Sequence, residues 1–281
     1  MTLAPAPSSV SAVASLLAGA VVRHYGVDPR TERLTAALST FADDQAEIDR
    51  DRLALVQATG QQVFRHLELS FARSLVPQER SPGWPDADVD AVRRSGADIG
   101  SVVRDPDGTA TIRLTGLASA KAAAPLLTGA FALMAGADLI VLDLRANGGG
   151  DPATAAMIVD WLVGEAAPRH LFDVVYRDRI RQWWTTGAPL APRPTGTVRA
   201  LIGPGTYSSG EALAWVLQSQ RLATLVGERT PGAADHVVPL ALCHDVQALI
   251  PEARVAAPDG GPTWEGIGVL PDVNVSIEAG S

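Results

Sequence analysis

Apolar residues recur every three to four positions along the first sixty residues, as they do on one face of a helix. The pattern predicts three helices, Ser11–His24, Pro29–Phe41 and Asp44–Gln57. Toward Phe71 apolar and polar side chains begin to alternate, which predicts a strand. We therefore expect a small N-terminal helical bundle over residues 1–69, followed by a core over residues 70–281.

The pattern changes after residue 97 to alternating strands and helices. Residues 77–97, rich in Pro, Asp and Arg, predict a loop, and Asp105-Pro-Asp-Gly108 between two alternating runs predicts a hairpin. Arg177–Pro194, which carries two tryptophans and three prolines, predicts a surface loop or lid. The remaining predicted elements are helices at Ala118–Met134, Pro152–Val163 and Ala212–Leu217, and strands at Asp138–Leu144, Phe172–Tyr176, Thr197–Ile202 and Ala223–Val226. Such alternation predicts a layered α/β domain.

Composition and charge exclude several classes of function. A net charge of −8 argues against binding to nucleic acid or to an anionic membrane. The single cysteine, Cys243, excludes an intrachain disulfide, and the five histidines show no metal-ligand spacing, so we expect neither metal nor cofactor. The apolar run Val10–Val22 is too short to span a bilayer and lacks the flanks of a signal peptide. We therefore expect a cytoplasmic protein without a membrane span.

A serine-containing turn separates the predicted strand Thr197–Ile202 from a predicted helix. The turn, Gly203-Pro-Gly-Thr-Tyr-Ser-Ser-Gly-Glu211, brings Ser208 close to helix N-terminal N–H groups, which favour a developing negative charge. Two interpretations stay open. Ser208 is an exposed nucleophile, or Ser208 or Thr206 is only an N-cap whose capping box Glu211 completes.

A second turn, Asp143-Leu-Arg-Ala-Asn-Gly-Gly-Gly150, follows another predicted strand. Its glycines permit a tight turn and close approach to a substrate, and their N–H groups could form half of an oxyanion hole. A purely structural role for these glycines also stays open. A phosphate-binding loop does not, because neither glycine-rich phosphate motif is present.

Four segments in this order resemble the tail-specific, or C-terminal processing, serine peptidase family. They are Asp143–Gly150, Thr206–Glu211, Val226–Gly232 and Trp264–Asp272, and the resemblance covers most of residues 60–276. It implies a crotonase/ClpP-like layered α/β core. It also implies Ser208 as the nucleophile, since this serine stands two residues after Thr206 and three before Glu211.

Two departures from the family pattern narrow the choice of the branch that the chain resembles. Family members with a Ser-Lys dyad carry lysine where this chain has Ala233, and Lys121, the only lysine, lies in a different segment. The stretch between His66 and Asp143 is too short for a PDZ domain plus its connecting strands. The chain therefore resembles the PDZ-less branch of interphotoreceptor retinoid-binding protein modules and their bacterial relatives.

The chain also resembles the tricorn core protease, which uses a histidine instead of the catalytic lysine. This resemblance implies a triad of Ser208, His66 and Glu265. A serine hydroxyl needs a positioned base, and imidazole titrates in the useful range. His236 competes for that role, but its odd separation from Ala233 would turn it to the other side of a regular strand. We therefore expect His66 to be the base and Glu265 to support it.

The remaining candidate residues surround this triad. The resemblance and the glycine turn together suggest oxyanion donors at the backbone N–H groups of Ser209 and of Gly148 or Gly149. The aromatic side chains of Trp183, Trp184 and Tyr207 are candidates for substrate binding.

We expect a serine hydrolase, a peptidase that cleaves peptide or protein C-terminal segments through an acyl-enzyme on Ser208. A non-catalytic module that holds a hydrophobic ligand is the main alternative, and an acyl-CoA enzyme with a similar oxyanion hole is a third. The hydrolase is favoured because nucleophile, base, carboxylate and oxyanion donors all have candidates. The expected partners are peptide or protein substrates, and homo-oligomer formation is left open.

Overall fold

The computed structural model describes residues 8–72, 75–77, 84, 86–164 and 167–276. The helices are α1 Val10–Tyr25, α2 Pro29–Leu38, α3 Arg50–Gln61, α4 Val89–Arg94, α5 Ala120–Met134, α6 Pro152–Val163 and α7 Ser209–Ser219. The strands are β1 Glu68–Phe71, β2 Ile99–Arg104, β3 Thr109–Leu114, β4 Leu139–Asp143, β5 His170–Tyr176, β6 Ile180–Trp184, β7 Thr197–Ile202, β8 Thr224–Gly227, β9 His236–Ala241, β10 Val246–Ala256 and β11 Val273–Asn274.

The chain folds into two compact units that are not contiguous in sequence. The first comprises Met1–Pro85, Val174–Arg181 and Asp235–Val255, and the second comprises Asp86–Asp173, Gln182–Ala234 and Ala256–Ser281. The mixed α/β fold with N-terminal helices that the sequence predicts is confirmed. The predicted domain division at residue 69 and the crotonase-like layering stay predictions.

The first unit contains the N-terminal helices and an antiparallel sheet. Ser9 caps α1 and Gly26 ends it, so the helix extends one residue beyond each predicted bound, and α2 starts at Pro29, as predicted, after a capping box from Asp28. The third helix begins at Arg50 rather than at Asp44, because the Asp49 side chain accepts the Arg52 N–H and so sets the start. The core of this unit includes Leu17, Leu34, Val56, Phe64, Leu67, Leu240 and Ile250.

The sheet associated with the first unit has the strand order β1-β10-β5-β6, and β9 also pairs with β10. Of β5 and β6, only Val174–Arg181 belongs to this unit. Leu69 and Leu240 both pair with Ala248, which places the short strand β1 and strand β9 on opposite sides of β10. His66 lies on the connection between α3 and β1.

The second unit is built on a six-stranded sheet with the order β11-β8-β7-β4-β3-β2. All neighbours are parallel except the β2–β3 hairpin, which confirms the predicted Asp-Gly turn. Asp143 at the end of β4 pairs with Leu201 at the end of β7. The loops that follow these strands, the glycine loop (residues 143–150) and the serine turn (residues 203–208), therefore emerge at one edge of the sheet, where α/β folds bind their ligands.

Two predicted loops contain regular structure. The segment Arg177–Pro194 is not a continuous loop, because Ile180–Trp184 forms β6. The sequence Ile180-Arg-Gln-Trp-Trp184 does not alternate apolar and polar residues, and every residue of β6 except Trp183 is exposed. The predicted loop 77–97 includes α4, which Asp88 caps, while residues 78–83 and 85 lie outside the described part of the chain. Among the described residues, no helix is long and apolar enough to span a bilayer.

Candidate active site

Ser208 has a backbone conformation that serine rarely adopts. Its φ and ψ are +53° and −123°, on a sharp turn between β7 and α7. A non-glycine residue with positive φ is strained, whereas an ordinary N-cap residue has extended backbone. Strained strand-to-helix turns of this kind present the nucleophile in α/β hydrolases. The conformation therefore favours the exposed-nucleophile interpretation over a simple cap.

Backbone and side-chain hydrogen bonds join the serine turn and the start of α7 to the glycine loop. The Tyr207 N–H donates to the Asn147 carbonyl at 2.8 Å, and the Ser209 hydroxyl donates to the Gly150 carbonyl at 2.8 Å. Ser209 is itself buried, so its side chain points into the protein rather than toward a substrate. These hydrogen bonds fix the serine turn and the start of α7 relative to the glycine loop.

Gly149 packs directly against the serine turn. Its φ is +93°, and a Cβ atom there would lie 2.7 Å from the Ser208 Cβ, 2.9 Å from the Tyr207 carbonyl oxygen and 3.1 Å from the Ser209 nitrogen. No side chain larger than a hydrogen fits this gap without moving the turn. The requirement for glycine here comes from close approach to Ser208, which the sequence motif alone did not specify.

The predicted oxyanion donors on the glycine loop are already engaged. The Gly148 N–H donates to the Thr115 carbonyl at 3.1 Å, and the Gly149 N–H donates to Asn147 Oδ1 at 3.0 Å. As the loop stands, both N–H groups therefore have acceptors within the chain, and their role as oxyanion donors stays a prediction. The Ser209 N–H is different, because the first N–H groups of a helix have no intrahelical acceptor.

Asn147 is a residue that the sequence analysis missed. It is fully buried, and its Nδ2 donates to the carbonyls of Leu114 and Gly116 at 3.2 and 3.3 Å. Together with the bond from Gly149, these contacts fix the loop onto the end of β3. The available signal was an asparagine directly before three glycines, since a buried amide must find several partners.

The Glu211 carboxylate connects the serine turn to the segment that follows β8. It accepts hydrogen bonds from the Thr230 hydroxyl at 2.5 Å and from the backbone N–H groups of Gly232, Ala233 and Ser208 at 2.7, 2.8 and 3.1 Å. Burial raises the pKa of Glu211, and these four donors oppose that rise. The expected capping box between Ser208 and Glu211 is present, and its bond from the Ser208 N–H to Glu211 is part of a larger set of hydrogen bonds to this carboxylate.

Glu265 binds the same segment two residues further on. Its Oε2 accepts the Ala234 N–H at 2.7 Å, and the neighbouring Gly266 N–H donates to the Gly232 carbonyl at 2.8 Å. Ala233, at the position aligned with the lysine of dyad enzymes, is fully buried. Glu265 thus holds the backbone beside the site rather than standing apart as a solvated turn carboxylate.

His66 lies in the first unit, where it is 8% exposed. Its Nδ1 lies 2.6 Å from the backbone oxygen of Asp235. A carbonyl oxygen only accepts, so Nδ1 carries the proton and Nε2 keeps its lone pair. The pKa of His66 is lowered to about 4, chiefly by burial; the hydrogen bond to Asp235 opposes this shift, and the electrostatic effect of nearby His236 adds to it. The imidazole is therefore neutral at pH 7, as a general base must be.

His236, the competing base, has its own partners in the first unit. Its Nδ1 lies 3.1 Å from Glu252 Oε1, and its ring centroid lies 5.9 Å from that of Tyr176. Within the described part of the chain, no group of three or more histidine, cysteine or acidic side chains is arranged to hold a metal ion.

The tryptophan pair sits on β6, in the second unit. Trp184 is 44% exposed and stacks on the His170 ring at a centroid distance of 4.6 Å. Trp183 is half-buried, with its ring 6.1 Å from that of Phe172. Tyr207, the third predicted substrate-binding residue, is half-buried directly before Ser208.

Comparison with known proteins shows the family to which the chain belongs. The model of peptidase family S41 matches residues 108–275, more than half of the chain. That range contains Ser208, Glu265, the glycine loop and the tryptophan pair, and His66 precedes it.

Solved structures share the fold at low sequence identity. A candidate peptidase from Parabacteroides merdae is 14% identical with a TM-score of 0.64, over 97% of this chain and 91% of that one. A lipoprotein from Streptococcus agalactiae is 14% identical with a TM-score of 0.59, over 99% and 96%. The photosystem II D1 C-terminal processing protease is 21% identical with a TM-score of 0.49, over 75% of this chain, which spans 48% of that protease.

Proposed function

Because the chain belongs to peptidase family S41, we propose that it is an active serine peptidase that cleaves C-terminal segments of peptides or proteins. Family membership supports a serine-type peptidase over the non-catalytic ligand-binding module. The observation that carries the proposal is the strained turn at Ser208, packed against Gly149. A module that only binds ligand has no need of a serine in this conformation.

Ser208 is the proposed nucleophile. Its hydroxyl oxygen attacks the carbonyl carbon of the scissile peptide bond, and the proton passes to the base as the C–O bond forms. The resulting acyl-enzyme is hydrolysed by water after the amine leaves with a proton from the base. The Ser209 N–H at the start of α7 supports the oxyanion of each tetrahedral intermediate.

The second oxyanion donor is assigned to Gly150 in place of Gly148 and Gly149. The parallel bridge between Leu117 and Gly150 uses the Gly149 carbonyl and the Asp151 N–H. In such a bridge the N–H of the central residue points to the opposite side. The Gly150 carbonyl accepts the Ser209 hydroxyl, which is consistent with a Gly150 N–H directed toward the start of α7.

His66 is the proposed base and Glu265 the supporting carboxylate. A neutral imidazole with its proton on Nδ1 can accept the serine proton at Nε2. Glu265 supports the site by holding the Ala234 N–H, immediately before the residue whose carbonyl binds His66. The support for His66 comes from these surroundings and from the resemblance to the lysine-free protease.

The proposal is tested by hydrolysis of unstructured peptides that differ only in a free or an amidated C-terminus. We expect wild-type protein to cleave them and to favour the free carboxylate, with cleavage abolished in Ser208→Ala. The rate constant kcat/KM should fall as pH falls through about 4, where His66 becomes protonated. No cleavage of any peptide, with tight binding of apolar ligands instead, would support the non-catalytic module.

A further inference from the structure

Arg30 of the N-terminal bundle contacts both backbone segments that meet at His66. One guanidinium nitrogen lies 2.6 Å from Asp235 Oδ2 and 3.1 Å from the Val63 carbonyl oxygen. The guanidinium carbon lies 4.2 Å from the centroid of the Phe64 ring. Arg30 therefore binds the segment just before His66 and also the residue whose carbonyl accepts the His66 Nδ1–H.

The ion pair with Arg30 contributes to the position of Asp235. The Asp235 side chain is 1% exposed, and Arg30 is an ion-pair partner of it. A buried carboxylate without a cation is strongly disfavoured, so the Asp235 backbone is fixed where the guanidinium can reach it. The planar fork of arginine suits this task because a single group can bind a carboxylate, donate to a carbonyl and stack on a ring.

We propose that Arg30 and Asp235 form a positioning pair that holds the His66 imidazole in its catalytic orientation and tautomer. This inference rests on the proposed role of His66 as the general base. It gives the N-terminal helical bundle a part in catalysis, because Arg30 lies in the first turn of α2. Neither side chain touches the reacting atoms, so both act through the backbone around His66.

The physical reason lies in the kind of acceptor that His66 has. In a Ser-His-Asp triad a charged carboxylate orients the imidazole and attracts the imidazolium that forms. Here the acceptor of the Nδ1–H hydrogen bond is a neutral backbone carbonyl. It orients the imidazole only if the carbonyl oxygen itself is held in the right position. Arg30 supplies that placement by fixing the Val63 and Asp235 segments relative to each other.

The experiment measures single-turnover acylation by a fluorophosphonate probe and kcat and KM for a cleaved peptide. The variants are Arg30→Lys, Arg30→Met and Asp235→Asn, with His66→Ala measured in parallel. Arg52→Lys is the matched control, since Arg52 pairs with Asp49 at an exposed site on the same bundle. Rates are compared below each variant's unfolding transition, so that loss of folded protein does not contribute.

We expect Arg30→Met and Asp235→Asn to lower kcat and the acylation rate by about a hundredfold, the effect of a misplaced catalytic group, with little change in KM. Arg30→Lys, which keeps the charge but not the planar fork, should lie between these variants and wild type. In 15N-histidine spectra of the wild type, the signal absent from His66→Ala should show protonation at Nδ1. In Arg30→Met the same signal should show mixed tautomers.

Two other results separate the inference from the function on which it rests. If His66→Ala is inert while all three pair variants acylate at the wild-type rate with an unchanged His66 signal, the positioning pair is wrong and the base assignment stands. If His66→Ala itself acylates at the wild-type rate, the base assignment is wrong and the positioning pair falls with it. Loss of activity with an unchanged His66 tautomer and a raised KM would also overturn the inference.

Discussion

The Nδ1 atom of His66 lies 2.6 Å from the backbone oxygen of Asp235, and this hydrogen bond determines which imidazole nitrogen carries the proton. The same histidine is buried, so its charged form is disfavoured in the folded protein. As the proposed base, His66 is oriented and neutral before substrate arrives and needs no reorganisation when the reaction begins. The burial of His66 also makes the stability of the protein depend on pH.

We predict that His66 reduces stability in mild acid. The pKa of His66 is about 4 in the folded protein, whereas a histidine exposed to water has a pKa of 6.5, so between these values the unfolded chain binds a proton that the folded protein does not. Stability therefore falls as pH falls through this window, by about 2 kcal/mol between pH 7.5 and pH 5. Urea unfolding of wild type and His66→Gln at the two pH values measures this change in the free energy of unfolding. Equal pH dependence in both proteins would contradict the prediction.

We predict that Glu211→Gln lowers the free energy of unfolding and disturbs the conformation of the serine turn. The Thr230 hydroxyl accepts the Val269 N–H at 2.7 Å, so its own proton is directed to Glu211. An amide NH2 cannot accept from these donors, and at least two of the four would lose their acceptor. Leaving buried donors unsatisfied should cost about 2 to 4 kcal/mol.

The measurement is the free energy of unfolding, together with the acylation rate of the folded fraction. Both should fall in Glu211→Gln, because either orientation of the amide leaves two donors unsatisfied at the group that also binds the Ser208 N–H. Glu32→Gln, at an exposed position of α2, is the control and should change neither. Wild-type acylation in a destabilised Glu211→Gln protein would show that the carboxylate has no influence on the turn.

Gly149→Ala should separate the serine turn from the glycine loop. A methyl group there would overlap Ser208 and would also require an L residue at a φ of +93°. We expect a loss of about 1–2 kcal/mol from the backbone conformation alone, and loss of activity because Ser208 must move. Gly148→Ala is the control for unfolding, since a Cβ at Gly148 meets nothing within 4 Å. Similar unfolding free energies for the two variants would be inconsistent with the close approach.

The two tryptophans of β6 should respond differently to truncation. Trp184 is 44% exposed and stacks on His170, so Trp184→Ala should raise KM while leaving the melting temperature nearly unchanged. Trp183 is half-buried near Phe172, so Trp183→Ala should lower the melting temperature more than it raises KM. The reverse ranking would remove Trp184 from the substrate-binding surface.

Local sequence signals predicted most of the secondary structure. Ser9, Asp28 and the Asp-Gly turn each fix a boundary through contacts a few residues away, and the predicted boundaries lie within one residue of those observed. The predicted start of α3 was wrong because Asp44 and Asp49 both resemble N-caps. Only the folded chain shows that Asp49 accepts a hydrogen bond from a helical N–H. Strand β6 was missed because its five residues do not alternate apolar and polar side chains.

The arrangement of the candidate site depends on contacts between residues far apart in sequence, which no local pattern encodes. Arg30 and Asp235 are separated by 205 positions, and nothing in either segment indicates the ion pair. The engagement of the Gly149 N–H by Asn147 Oδ1 is local, yet it reverses the expectation that three adjacent glycines offer free N–H groups. The motif suggested the candidate residues, and the structure shows that the N–H groups of two of them, Gly148 and Gly149, already have acceptors within the chain.

The central claim is that Ser208 is an activated nucleophile, and mapping a covalent adduct tests it most directly. Wild type, Ser208→Ala and Ser209→Ala are treated with a fluorophosphonate probe, digested and analysed by mass spectrometry. We predict a stoichiometric adduct on Ser208 in wild type and none in Ser208→Ala. In Ser209→Ala the adduct stays on Ser208, because the Ser209 hydroxyl is engaged with the Gly150 carbonyl and its backbone N–H is retained. An adduct on Ser209, or none in folded wild-type protein, would contradict the account.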